Sequence, residues 1–169
     1  MIQGLRQPLK QELRQSGALL FVTMAALLFT PSLFAQITIE QITPHRFPAA
    51  LAPSSGNARI VVNYSGNLDS GTTATLIGNT YNAAEFRLSS DTSKTFTVNV
   101  YNGDDVPGVE LKSFKFRYNN TTYNTFPTSG LPNPGSGSTV TVGIEVIFDS
   151  SINSDEYTPS FNIEVTEDP

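Results

Sequence analysis

The chain has 169 residues, no cysteine and no tryptophan, and 15 acids against 10 lysines and arginines, for a net charge of −5. That length is one domain's worth and can bury a real core, but without a thiol it holds no disulfide framework, thiol nucleophile or thiolate metal site. The acidic balance works against nucleic acid and anionic membrane surfaces, which are themselves negative.

Residues 1–35 stand apart from the rest. Arg6, Lys10 and Arg14 make a basic start, residues 18–29 an apolar run, and Pro31 precedes Leu33-Phe34-Ala35, the pattern of a secretory signal cleaved before Gln36. The run is shorter than the ~20 residues that a membrane span needs. Its removal takes away three basic residues and one acid, so the totals of 10 and 15 become 7 and 14 and the net charge about −7. The expected organisation is a signal peptide over 1–35 and a single domain over 36–169.

The domain reads as short strands joined by turns, since Gly, Pro, Ser, Thr and Asn are plentiful and aromatics ample. Ile37, Ile39 and Ile42 begin an alternation that slips by one residue, and Pro44, Pro48 and Pro53 then forbid regular pairing. An edge strand followed by an extended crossing segment is expected. The sharper alternative makes this a donor strand lent to a neighbouring subunit, with Ile37, Ile39 and Ile42 as its anchors.

Residues 58–64 turn Ile60, Val62 and Tyr64 inward, residues 72–77 form a Thr-rich strand, and residues 84–88 align Ala84, Phe86 and Leu88. Phe96, Val98 and Val100 make the inward face of 95–101, which ends at an Asn-Gly-Asp-Asp turn. In 110–118 Phe114, Phe116 and Tyr118 share a face and Leu111 is out of phase, as a bulge or early bend would produce. Residues 121–126 add a short strand, and 128–138, rich in Gly and Pro, read as a loop.

The rest is organised around the last stretch. Val140, Val142, Ile144, Val146 and Phe148 occupy every second position, and after a polar loop Tyr157, Phe161, Ile163 and Val165 resume the pattern. These two runs read as an antiparallel pair, and Val140, Val142, Ile144 and Val146 as an edge able to receive a lent strand. Gly143 within it is either a bulge or twist point or a place where another backbone, such as a neighbouring subunit's, comes close. About eight closely spaced strands predict an all-β, antiparallel β-sandwich of immunoglobulin-like type.

Chemistry is sparse. The single histidine, His45, has no nucleophile elbow to serve, and zinc would need more His or Cys ligands. Asp104 and Asp105, or Asp149, Asp155 and Glu156, supply oxygen ligands without the spacing of a calcium loop. Tyr81, Tyr101 and Tyr123 could stack on sugar rings if the fold clusters them. No cofactor, metal or catalytic residue is expected, and the protein is read as not an enzyme.

The order of features resembles the bacterial family known as domain-of-unknown-function family 4402. The matching pieces are Ile37-Thr38-Ile39 with Phe47, then Gly56-Asn57-Ala58-Arg59-Ile60-Val61-Val62, then Ala83-Ala84-Glu85-Phe86-Arg87-Leu88 with Thr95-Phe96-Thr97-Val98. Thr141-Val142-Gly143-Ile144-Glu145-Val146 and the run from Tyr157-Thr158-Pro159 to Val165 complete them. The chain departs from the family where glycine is usual, at Pro48, Glu156 and Pro159, as a divergent member would.

The resemblance implies an exported, pilin-like β-sandwich in a Gram-negative setting and brings no catalytic residues. The expected role is therefore a structural or assembly protein of the bacterial envelope, periplasmic, secreted or at the cell surface, with itself or other envelope subunits as partners. An extracellular module that binds carbohydrate or another small ligand is the alternative.

Overall fold

The computed structural model describes residues 36–103, 106–152 and 159–169. The expected signal segment and the candidate ligands Asp104, Asp105, Asp155 and Glu156 lie outside the described residues. Within them the chain forms nine strands: β1 (Thr38–Thr43), β2 (Asn57–Val62), β3 (Ala84–Ser89), β4 (Phe96–Asn102), β5 (Val109–Tyr118), β6 (Thr121–Tyr123), β7 (Thr128–Leu131), β8 (Ser138–Asp149) and β9 (Phe161–Glu167). All the pairings are antiparallel, and they make two sheets, as the alternating patterns predict for a sandwich with one dry face per sheet.

The larger sheet is built on β8. One of its edges pairs with β5 through Arg117↔Thr141 to Val109↔Phe148. Two strands share the other edge: β3 lies against Ser138 to Val142, and β2 against Ile144 to Asp149. β1 extends the sheet beyond β3 and β6 beyond β5. The smaller sheet has the order β7-β4-β9.

Val140, Val142, Ile144, Val146 and Phe148 turn inward and are buried, with Ala58, Ile60 and Val62 beside them on β2 and Ala84, Phe86 and Leu88 on β3. Phe96, Val98 and Val100 close the core from the smaller sheet. Phe96 meets Tyr118 edge-on with centroids 5.3 Å apart, and the buried Tyr118 hydroxyl donates to the carbonyl of Pro132 at 2.7 Å. That bond satisfies a polar group that would otherwise cost stability inside the core. In β5 the register shifts between Leu111 and Ser113, so Leu111 faces Val146 and Phe114 faces Ile144 on the same dry side. This is the bulge that the out-of-phase Leu111 predicts.

Four expectations change. β8 and β9 are not neighbours, because β9 pairs with β4 in the other sheet through Val98↔Val165 and Val100↔Ile163. With both edges of β8 occupied, the next apolar strand packs across the core rather than alongside. For the same reason Val140, Val142, Ile144 and Val146 do not form a receiving edge: no length of β8 is left unpaired between Val140 and Phe148 on the β5 side, and β3 and β2 fill the other side up to Gly143.

Residues 72–77 form no strand; the Thr73 and Ala74 amides donate to the Arg59 carbonyl at 2.8 and 3.1 Å, and side chains complete the pairing. Thr73 Oγ1 accepts from the Arg59 amide and Thr72 Oγ1 from the Val61 amide, each at 3.1 Å, which caps the outer edge of β2. Residues 128–131, expected as loop, are β7; Phe96 pairs with Leu131 and Val98 with Thr128, and the register shifts between them where Gly130 adopts φ +71°.

Gly143 marks the junction between the β3 and β2 halves of β8. The chain leaving β2 turns across it, so a Cβ there would overlap the Tyr64 amide nitrogen and the Asn63 carbonyl carbon. The close backbone expected at Gly143 is this chain's own.

Candidate interaction edge

The chemistry-bearing residues do not converge. His45 leads off the segment after β1, its ring 4.3 Å from that of Phe47 and 6.4 Å from that of Phe161 at the start of β9. Burial lowers its pKa to about 4, and Nε2 has no hydrogen-bond partner among the described residues. The segment does not cross the fold. It continues beside residues 75–82, with Arg46 and Asn82 exchanging backbone bonds of 3.0 and 3.1 Å and Ala50 bridging Leu76. A groove half open to solvent lies there, lined by His45, Arg46, Phe47, Asn79 and Thr80 among others, with one cation and no carboxylate.

Asp149 accepts from the Ser151 amide at 2.7 Å and from its hydroxyl, which holds its carboxyl below the usual range as a local turn lock. No group of three His, Cys, Asp or Glu among the described residues is placed to hold a metal ion.

The three tyrosines occupy different surroundings. Tyr123 packs on Phe116 with centroids 6.2 Å apart, Tyr81 packs against the core, and Tyr101 stands on the outer face of the smaller sheet. The Tyr101 hydroxyl donates to Glu164 Oε1 at 2.7 Å, and that bond pushes its pKa up. They do not form one stacking platform, because strand parity sends Tyr123 inward and Tyr101 outward.

The sheet margins differ more informatively. The outer edge of β5 carries a bulge with Lys112 and Lys115 exposed beside it, and its far end is covered by β6. β2 is capped by the Thr72 and Thr73 hydroxyls. The ends of β4 and β9 are tied down: Thr95 and Thr97 donate to the Asp168 carboxylate at 2.6 Å each, Gly130 adds its amide at 3.1 Å, and these bonds hold that carboxyl low. Ser90 and Thr92 donate to Glu167 Oε1 at 2.9 and 2.6 Å. On the outer face of the larger sheet Arg59 Nε lies 2.9 Å from Glu145 Oε1, an ion pair without hydrogen-bond alignment, while Ser113 donates to Oε2 at 2.8 Å.

Apart from a shift at Ile42, β1 has none of these devices among the described residues. Its inner edge pairs with β3 from Thr38↔Ser89 to Thr43↔Glu85, with a shift at Ile42, and its outer edge has no partner among the described residues. Of the expected anchors only Ile37 is buried; Ile39 is 38% exposed and Ile42 51%. Ile42 is the extra residue of the bulge, opposite no residue of β3, and it stays exposed. Among its six residues Glu40 is the single charge. Lys, Pro and covering loops are what usually keep an edge strand from pairing with another chain, and here they are missing. The sequence signal for this was present in Thr38-Ile39-Glu40-Gln41-Ile42-Thr43, a strand with two isoleucines, one acid and no lysine or proline.

A sequence profile described as Domain of unknown function (DUF4402) matches residues 37–166, almost the whole described chain. The protein belongs to that family. No curated protein and no solved structure matches the chain significantly.

Proposed function

We propose that this protein is an exported structural or assembly component of a bacterial envelope, fimbrial-subunit-like or part of an extracellular matrix, working through strand and sheet-face contacts. The observation that carries this reading is the outer edge of β1, which has no partner among the described residues and no lysine or proline in the strand, with Ile39 and Ile42 exposed along it. Residues 1–35 supply the export signal. No chemistry is asked of the site: His45 is walled in by Phe47 and Phe161, and the carboxylates with clear roles are engaged in structural bonds.

The test is to express the full-length reading frame in a Gram-negative host, recover the exported product, and compare its assembly with that of a variant lacking residues 38–43. Loss of multimers from a variant whose circular dichroism is still β-rich supports the reading. A shortened protein that assembles as the parent does, or a parent that is never exported, refutes it.

Tyr101 favours a second reading. Among the described residues it is the one aromatic of the exposed large apolar side chains, and it is flanked by Asn99, Asn162 and Glu164 on a polar sheet face. Saturable binding on a glycan array, abolished by Tyr101→Ala, would make the protein a carbohydrate-binding module instead.

A further inference from the structure

An unguarded strand edge is a template for another strand, and its own sequence limits which one fits. We propose that β1 pairs antiparallel with β1 of a second copy, across a twofold axis that sets Ile39 against Ile39 of that copy. This rests on the reading of sheet edges as the working parts, and it names the partner and the register.

Symmetry removes most alternatives. In an antiparallel pair of identical strands the twofold axis stands perpendicular to the sheet, and directly opposed side chains share a face. Each residue therefore meets one whose number differs from its own by an even count, and the residue at the axis meets itself. An axis at Glu40 opposes two carboxylates, which destabilises the pair. An axis at Gln41 sets Glu40 against Ile42, the bulged residue that breaks the alternation of β1. An axis at Thr38 spends the contact of Ile39 on Ile37, which is already buried in its own core, and draws in Gln36 before the strand starts.

The axis at Ile39 avoids the opposed carboxylates and the bulge, and it reaches only one residue before the strand, setting the backbone of Ile37 against Gln41. Thr38 stands opposite Glu40 twice over, a hydroxyl facing a carboxylate, and the two Ile39 side chains cover each other on the other face. The Thr38 hydroxyl lies 2.7 Å from that of Ser89 and donates to the Ser89 carbonyl at 3.4 Å, so with Ser89 as donor in the short contact the proton of Thr38 can leave that long bond for Glu40 of the second copy. The overlap runs from Ile37 to Gln41 and stops short of the bulge. The two six-stranded sheets become continuous, and a closed twofold pair uses up both unguarded edges at once.

The chain has no cysteine, so single substitutions report the register directly. Ile39→Cys, Thr38→Cys and Glu40→Cys are each made in the full-length reading frame, recovered as exported protein and oxidised. Ile39→Cys should yield a disulfide-linked dimer at least several-fold more than either neighbour, since only that position meets itself at cross-strand distance. In sedimentation the unsubstituted protein should be a dimer and Ile39→Lys a monomer with unchanged circular dichroism.

Equal crosslinking at all three positions, or an Ile39→Lys variant that still dimerises, overturns the proposal. Multimers that persist without a crosslink at position 39 overturn this register while the assembly reading stands. A parent that is monomeric at every concentration overturns both.

Discussion

β8 and β1 belong to the same sheet with only β3 between them, yet β8 is paired along both edges with Val140, Val142, Ile144, Val146 and Phe148 buried, whereas β1 is paired along one edge with none of its six residues buried. The centre of the sheet carries the cohesion, because each residue there has neighbours on two sides and a dry face below. The margin carries almost none, so its side chains can be chosen for contact with something else. Stability and availability are thus separated by about two strand widths, roughly 10 Å.

The contrast predicts a graded series of effects. Ile144→Ala, at the middle of β8, should cost about 2–5 kcal/mol, read as a fall in the denaturant midpoint at unchanged slope. Gly143→Ala should cost about 1–3 kcal/mol although it adds a single methyl group, because the backbone of Asn63 and Tyr64 occupies that space. A stable Gly143→Ala protein would mean that the crossing segment yields more readily than a packed interior should.

Acid should act at the junction between the margin and the smaller sheet. His45 has a pKa of about 4 when folded against about 6.5 when unfolded, so the unfolded chain binds more protons between those values and stability is lost as the pH falls through that window. At pH 5.5 the loss is about 1 kcal/mol, and His45→Phe should flatten the profile between pH 6.5 and 4. Ile39→Lys should have the smallest effect on folding, within about 0.5 kcal/mol, while removing self-association. A large loss of stability from that change would place Ile39 in the core and erase the contrast between centre and margin.

Much of this is legible in the sequence, for a definite reason. Alternation reports which side of a strand is dry, so Val140 to Phe148, Phe96 to Val100 and Phe161 to Val165 identify the two inner faces without any coordinates. Alternation says nothing of which strand lies alongside. β8 and β9, equally apolar on one side and adjacent in the chain, satisfy the same pattern whether they pair or face each other across the core. β7 was hidden by its composition, since Gly130 and the neighbouring prolines look like a loop while still meeting Phe96 and Val98.

The candidate site was half visible. The isoleucines of β1 stand out in the sequence, but the single-residue shift at Ile42 decides which of them turn inward, and only pairing with β3 reveals it. Gly143 likewise announces a tight passage, but not that residues 63 and 64 make it.

The position of β8 along the chain also orders events during synthesis. β2, β3 and β5 find their common partner only when Asp149 has been made, and β4 gains β9 only at the last few residues. A nascent chain of this kind therefore holds ready-made strands with no scaffold to receive them until nearly all of it has emerged, so that neither sheet closes early. Long-range pairing of this sort slows folding.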